Sequence, residues 1–185
     1  PFNPLALAMG ADASFIARSM DRDPKHLQAM LLRSQAHKGA SFLEIYQNCN
    51  IFNDGAFEIF TEKSSKAEEV LFLEQGKPLI FGATQQKGIK LDGFKPVIVN
   101  LAEGASTDDL WVHDERDFYK AQILIRMFDD PNLAGHLPRP FGVFYETERA
   151  CYEESMKMQI DEVIAQKGKG DLDKLLRGRE TWTIS

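Results

Sequence analysis

The sequence predicts an α/β protein in which a βαβ unit of a parallel sheet is followed by an α+β extension. Two strand-like segments, residues 14–18 and 41–47, flank a helical segment that begins at Asp23-Pro24. A strand, a crossover helix and a second strand at this spacing form a βαβ unit, which pairs its strands in parallel. After Asn53-Asp54-Gly55 the chain changes to short strands, hairpin signals and amphipathic helices, which favour an α+β region.

The first two predicted helices have recognisable start and stop residues. Residues 5–9 form a short helix, with Asn3 as the N-cap and Pro4 at the first helical position. The second helix starts at Asp23-Pro24 and ends at Lys38-Gly39. A cation and a glycine at this end are typical of helix termination.

The second half of the chain predicts a larger number of shorter elements. Asp92-Gly93, between strands at 87–91 and 96–101, is a strong hairpin signal. The other predicted elements are strands at 70–73, 79–81 and 141–145, helices at 118–128 and 172–176, and a terminal strand or tail at Trp182-Thr183-Ile184. A longer helix, which ends at Gly168, is predicted from an apolar face made of Tyr152, Met156, Ile160, Val163 and Ile164. We place the boundary between the two parts after residue 60, which gives regions 1–60 and 61–185.

The βαβ unit is too small to be a whole sheet. Two parallel strands cannot bury both of their faces, and no second βαβ pattern follows in the sequence. We therefore expect the rest of the sheet to come from sequence that precedes Pro1. The chain opens on a helix cap and not on methionine, which favours the same interpretation, that this is the carboxyl-terminal part of a larger protein.

Composition narrows the class of protein further. A formal net charge of −6 argues against a nucleic-acid partner, since phosphate binding needs clustered Lys and Arg. No apolar run approaches the roughly 20 residues that span a bilayer, and Pro1-Phe2-Asn3-Pro4 does not resemble a signal peptide. Two cysteines in 185 residues do not form a disulfide framework. The simplest setting is a reducing cytoplasm, without nucleic acid or membrane.

Cys49 is the most informative position for chemistry. It lies just past the second predicted strand, and the carboxyl ends of parallel strands are where ligands bind. A thiolate there could be a nucleophile, a redox centre or a metal ligand. No base lies beside it in sequence, and an iron–sulfur cluster usually needs four thiolates. The residues alone therefore favour a buried or inert cysteine, or a ligand whose companions come from elsewhere.

The other polar candidates favour structural roles. Cys151 begins a helical face, His26 follows a helix start and is expected to be solvated, and His37 lies near a helix end. Two acidic groups, His113-Asp114-Glu115 and Asp129-Asp130, flank a predicted helix. Because they flank this helix, we expect them to form a solvated rim and not a metal site. The four histidines also lack metalloprotease spacing.

Several segments nevertheless resemble one enzyme family. The most specific is residues 44–57, EIYQNCNIFNDGAF, and the others are residues 4–8, 13–18, 37–39, 170–177 and 181–183. Together they resemble the β subunit of 2-oxoacid:ferredoxin oxidoreductases, and the 2-oxoglutarate type most of all. The resemblance implies a partial thiamine-diphosphate-binding fold: region 1–60 would be the carboxyl-terminal part of that domain and region 61–185 its extension.

The resemblance also implies a reaction and its cofactors. The family carries out CoA-dependent oxidative decarboxylation of a 2-oxoacid and passes the electrons to ferredoxin, with an α subunit as partner. Thiamine diphosphate, Mg²⁺ and a [4Fe–4S] cluster are the implied cofactors. The family's Gly-Asp-Gly motif and its other three cluster cysteines have no counterpart in this sequence. Only the fourth cluster ligand maps onto this chain, at Cys49, and no catalytic or thiamine-binding residue does.

Two other interpretations remain open at this point. The chain could be a non-catalytic docking module whose extension binds a partner subunit. It could also be a small thiol redox protein, although no resolving cysteine lies near Cys49. If the family resemblance holds, the isolated chain is expected to be inactive and not to bind thiamine diphosphate.

Overall fold

The computed structural model describes residues 2–131, 133, 135–179, 181, 182 and 184. Within it the chain forms two compact units, Pro1–Arg149 and Ala150–Ser185. No helix in the described part of the chain is long and apolar enough to cross a membrane.

The predicted βαβ unit is confirmed. Its elements are helix α1 (Pro4–Gly10), strand β1 (Phe15–Met20), helix α2 (Pro24–Ala36) and strand β2 (Ser41–Tyr46). β1 and β2 pair in parallel, with Phe15 opposite Ser41 and Met20 opposite Tyr46. Asn3 and Asp23 cap the two helices, because their side chains accept hydrogen bonds from the first-turn backbone N–H groups of Ala6 and His26.

The main sheet gains two more strands from later in the chain. It has four strands in the order β2-β1-β7-β3, where β3 is Val70–Phe72 and β7 is Arg139–Glu146. β7 runs antiparallel to β1, and β3 runs parallel to β7. The expectation that the sheet would be extended only by preceding sequence is therefore wrong. Residues 140–144 are buried without interruption, as suits a strand covered on both faces.

Glycine is required inside β7. Gly142 has a φ of +127°, and a Cβ atom there would lie 2.8 Å from the carbonyl oxygen of Leu73. The segment after β3 therefore approaches the β7 backbone more closely than a side chain would permit.

The predicted hairpin is confirmed as part of a smaller sheet. Its strands, in the order β4-β5-β6, are β4 (Ile80–Phe81), β5 (Lys87–Asp92) and β6 (Lys95–Asn100). Asp92 pairs with Lys95 across the turn, and Gly93 has a φ of +60°, as the Asp-Gly signal predicts. Helix α5 (Phe118–Arg126) also forms close to its predicted range.

Two short helices in this unit were missed by sequence reasoning. They are α3 (Glu58–Thr61) and α4 (Lys66–Glu69). Single turns of this length lack a readable apolar period. Two 3₁₀ turns, Leu101–Glu103 and Thr107–Asp109, complete the unit.

The second unit contains helices α6 (Tyr152–Lys167) and α7 (Leu172–Arg177). Both were predicted, and neither contains a buried side chain. The predicted terminal strand includes Thr183, which lies outside the described residues.

Candidate functional site

The carboxyl ends of β1 and β2 lie side by side at one end of the main sheet. Met20 and Tyr46 are aligned there, and the backbone N–H of Asp21 donates to the Tyr46 carbonyl over 2.9 Å. Cys49 lies three residues beyond the end of β2. The structure therefore places Cys49 beyond the carboxyl ends of the parallel strands, as the sequence predicted. Open α/β sheets bind their ligands at this end.

The side chain of Asn48 organises the loop around Cys49. Its Oδ1 accepts a hydrogen bond from the backbone N–H of Gly55 over 2.9 Å, and its Nδ2 donates to the Asp54 carboxylate over 3.0 Å. Nδ2 also donates to Asn50 over 2.9 Å. The backbone N–H of Asn48 donates to the Asp21 carboxylate over 3.2 Å. These bonds tie the loop to itself and to the end of β1.

Backbone N–H groups surround the sulfur of Cys49. Hydrogen bonds from the N–H groups of Ile51 and Phe52, with a further one from Asn53, lower the pKa of the thiol because they stabilise the thiolate. Successive N–H groups that converge in this way form a concave site for a negative charge. Cys49 is a free cysteine and half-exposed, so its thiol is accessible to another molecule.

Two exposed apolar side chains and one polar atom without a hydrogen bond follow Cys49 in this loop. Ile51 and Phe52 expose 83% and 89% of their surface, although both are large and apolar. The buried Oδ1 of Asn53 has no hydrogen-bond partner among the described residues. Apolar side chains and an unpaired acceptor at one site are typical of a surface that another molecule covers.

The described residues provide one thiolate but no complete metal site. No group of three or more His, Cys, Asp or Glu side chains in this part of the chain is arranged to hold a metal ion. A half-exposed thiolate with N–H donors fits one ligand of an iron–sulfur cluster, whose potential is tuned by hydrogen bonds to sulfur. The remaining ligands of such a cluster would have to come from elsewhere.

His26 lies in a different environment from the predicted one. It was expected to be solvated, but the ring is half-buried, contacts Phe72 at 5.1 Å and pairs its Nδ1 with Ser19 Oγ at 2.8 Å. Burial lowers its pKa. The prediction failed because position in a helix does not reveal that the first turn of α2 faces the sheet.

His37 takes part in a partly buried polar network at the opposite end of the sheet. Its Nε2 lies 2.9 Å from Ser14 Oγ, and its Nδ1 lies 3.6 Å from a carboxylate oxygen of Glu146. Arg33 donates to both oxygens of Glu115, over 2.9 and 2.6 Å, and to Glu146. The order Ser–His–Glu resembles a catalytic triad, but Ser14 is only 1% exposed, so the hydroxyl cannot reach a substrate.

The segment His113-Asp114-Glu115 was expected to be a solvated rim. This is wrong for His113 and Glu115, which are both buried. The Nε2 of His113 lies 2.8 Å from the carbonyl oxygen of Val143 in β7. In the sequence this segment only precedes a helix. In the fold, Val112, the residue before it, pairs with the distant Pro78 through a backbone bridge.

The two remaining candidates fit structural roles. Asp129 forms a two-bond pair with Arg139, over 3.0 and 2.8 Å, at an exposed position. Cys151 is a free, half-exposed cysteine at the N-cap position of α6. Neither residue is part of the site at Cys49.

The fold and this site define an α/β protein with one accessible thiol, that of Cys49, beyond the carboxyl ends of its parallel strands. No protein-family model matches the chain. Sequence comparison relates it to the 2-oxoglutarate oxidoreductase subunit KorB of Mycobacterium tuberculosis, with 34% identity over 195 aligned positions. That alignment covers the whole chain and 49% of the relative, so the chain spans about half the length of this curated relative.

Two further comparisons agree. A 2-oxoacid:ferredoxin oxidoreductase subunit beta of Saccharolobus solfataricus is 36% identical over 52 residues, which are 28% of this chain and 17% of the relative. A solved structure of 2-oxoglutarate:ferredoxin oxidoreductase from Magnetococcus marinus matches 98% of the chain and 45% of its own chain, with a TM-score of 0.58 and 16% identity. That protein was solved with 2-oxoglutarate, coenzyme A and succinyl-CoA bound.

The comparisons confirm the resemblance and the fold class. The chain is similar along its full length to about half of a 2-oxoglutarate oxidoreductase β subunit, and its fold matches a part of such an enzyme. The assignment of Cys49 as a ligand and the boundary at residue 60 stay predictions.

Proposed function

We propose that this chain is part of the β subunit of a 2-oxoglutarate:ferredoxin oxidoreductase. The complex would carry out CoA-dependent oxidative decarboxylation of a 2-oxoacid and pass the electrons to ferredoxin. The observation that carries the proposal is the 34% identity to the mycobacterial subunit along the entire chain. The proposal includes an α subunit as partner and a reducing cytoplasmic location, where a ligand thiolate such as Cys49 stays free.

Cys49 is the residue that we assign to this chemistry. Three features support its assignment as one ligand of a [4Fe–4S] cluster: its place beyond β2, its half-exposed sulfur and the N–H groups directed at that sulfur. Such a cluster supplies one-electron transfer, and thiamine diphosphate with Mg²⁺ supplies carbanion stabilisation. The chain's own contribution is to orient the sulfur and to favour its deprotonated form through the N–H groups directed at it.

No thiamine-binding residue is assigned to this chain. The diphosphate site, its Mg²⁺ ligands and the other cluster cysteines would be provided by sequence outside these 185 residues. The isolated chain is therefore proposed to be inactive and not to bind thiamine diphosphate. Calorimetric titration with thiamine diphosphate and Mg²⁺ tests this part, and saturable binding would overturn it.

The reaction is tested by the activity of the complex. A complex whose β subunit contains this sequence, purified without oxygen, is mixed with 2-oxoglutarate, CoA and oxidised ferredoxin. We expect ferredoxin reduction that requires both 2-oxoglutarate and CoA, and slower reduction with pyruvate. Reduction that does not depend on any 2-oxoacid would contradict the proposal, and a preference for pyruvate would contradict its 2-oxoglutarate assignment.

A non-catalytic docking module is the second candidate function. It is favoured by α6, on which several large apolar side chains are exposed. They are Tyr152, Met156, Ile160, Val163 and Ile164. The two functions differ in what Cys49→Ser does to the assembled complex. If the chain is part of a catalytic subunit, the Cys49→Ser complex assembles but loses ferredoxin reduction. If the chain is only a docking module, the substitution leaves both assembly and activity intact.

A further inference from the structure

A cleft of about 690 Å³ opens in the first unit, on a surface that shares no residue with the Cys49 loop. Its lining comes from α4, β3, β4 and the turns that join them. The residues that matter for binding are Lys63, Lys66, Phe72, Glu74, Lys77 and Ile80. The volume falls within the roughly 300–1,000 Å³ that small-molecule sites occupy.

The lining of the cleft is positively charged. Lys63, Lys66 and Lys77 contribute three positive charges to the lining and Glu74 one negative charge, on a chain with a net charge of −6. Lys66 is paired with Asp23 over 3.1 Å. The ammonium groups of Lys63 and Lys77 have no ion pair among the described residues, so both are available to a ligand.

An aromatic ring lies among these cations. Phe72 is 38% exposed, and the Nζ of Lys66 lies 5.2 Å from the centre of its ring. Ile80 is half-buried beside it in the lining. The cleft therefore combines an apolar surface with positive charge, which suits a ligand with a ring at one end and an anion at the other.

The backbone at the edge of the cleft is held in an uncommon conformation. Gln85 has a φ of +55°, which is unusual for a residue other than glycine. Its side-chain amide donates to the carbonyl of Gly82 over 3.2 Å and fixes this turn. Backbone strain of this kind clusters at ligand sites, where the surrounding structure maintains it.

We infer that this cleft binds a phosphate ester that carries an aromatic ring, of the nucleoside monophosphate class. Lys63 and Lys77 provide two unpaired positive charges for the two negative charges of a phosphate dianion. Lysine binds phosphate as a point charge. The base would lie against Phe72. The inference rests on the cleft alone and does not depend on the proposed function.

Calorimetric titration of the 185-residue chain with three probes tests the inference. We expect AMP to bind with a dissociation constant of about 1 mM or below. Adenosine, which lacks the anion, and inorganic phosphate, which lacks the ring, should each bind at least about ten-fold more weakly. No saturable AMP binding at about 10 mM overturns the inference, and so does phosphate that binds as tightly as AMP.

Matched variants locate the binding. Lys63→Gln with Lys77→Gln should weaken AMP binding at least about ten-fold, since it removes both unpaired cations. The control, Lys90→Gln with Lys95→Gln on the β5–β6 hairpin, loses the same charge and should change binding less than about two-fold. Equal losses in the two variants would mean attraction by overall charge only, and would refute a site in the cleft.

A third variant separates the ring from the charge. Phe72→Leu keeps an apolar side chain of similar size but removes the aromatic face. AMP should bind more weakly to this variant, whereas inorganic phosphate should bind as it does to the unchanged chain. An unchanged affinity for AMP would contradict the placement of the base. Circular dichroism confirms beforehand that each variant is folded.

Discussion

The two ends of the main sheet are built in opposite ways. At the end where Phe15 pairs with Ser41, charged groups are partly buried and satisfy one another: Arg33 binds Glu115 and Glu146, and His37 lies between Ser14 and Glu146. At the end where Met20 pairs with Tyr46, the loop presents a half-exposed thiol, exposed apolar side chains and a buried acceptor without a partner in the described chain.

The residues that stabilise the sheet and the residues that are available for binding therefore lie at its two opposite ends. A network whose charges are already paired gains little from a ligand, but the loss of one member leaves a buried charge uncompensated. A loop with unsatisfied groups adds little to the stability of the fold and is available for binding. The comparison therefore predicts that substitutions at the first end change stability, whereas those near Cys49 change binding and reactivity.

The largest effect on stability is expected from Glu115→Ala. It removes the carboxylate that accepts two hydrogen bonds from Arg33. Arg33 keeps Glu146 and is 38% exposed, so we expect a loss of about 2 kcal/mol and not the larger cost of a fully buried pair. Urea unfolding measures this. The control Glu68→Gln, in an exposed pair with Lys87, should cost about 0.5 kcal/mol or less. Equal costs would show that the network around Glu115 stabilises the fold no more than an exposed ion pair does.

A smaller effect is expected from the pH dependence of His113. Burial lowers its pKa in the folded chain, so the unfolded chain binds more protons. The stability that neutral His113 provides is full above its ordinary pKa of about 6.5 and is lost as the pH falls through the lower folded value. His113→Gln, which can still donate to Val143, should lose less stability between about pH 7.5 and 5.5 than the unchanged chain does. An identical loss in both proteins would contradict this role.

At the other end, the reactivity of Cys49 should reflect its hydrogen bonds. The N–H groups of Ile51 and Phe52 lower the pKa of its thiol, so alkylation should reach its half-maximal rate at a lower pH in the folded chain than in urea. The measurement uses Cys151→Ser, which leaves Cys49 as the reactive thiol. The same midpoint in folded and unfolded chains would show that the N–H groups do not stabilise the thiolate.

The smallest effect on stability is expected from Phe52→Ser. The ring is almost fully exposed, so its removal should change the free energy of unfolding by no more than about 0.5 kcal/mol. A loss above about 1 kcal/mol would show that Phe52 packs within the chain and does not form a surface for another molecule.

Local signals in the sequence predicted most of the elements. The caps at Asn3 and Asp23, the Asp92-Gly93 turn and the strand–helix–strand spacing were sufficient for the βαβ unit and the hairpin. The order of the sheet was not predictable in this way, because β7 pairs with β1 across more than a hundred residues. No local pattern identifies a partner so distant in sequence.

The candidate site was predicted in position but not in environment. Cys49 follows from the end of β2, whereas the N–H groups directed at its sulfur depend on the fold of the loop that follows. The burial of His113 and Glu115 was missed for a related reason. Charged residues are mostly exposed, and the exceptions are created by tertiary pairing that one segment does not reveal.

The most direct test of the account is the metal content of the complex after Cys49→Ser. The complex is purified without oxygen, and its iron, acid-labile sulfide and visible absorption are compared with those of Cys151→Ser. If Cys49 is a cluster ligand, its substitution removes most of the iron and sulfide, while Cys151→Ser retains them. Full iron and sulfide in the Cys49→Ser complex would contradict the assignment of Cys49 as a ligand.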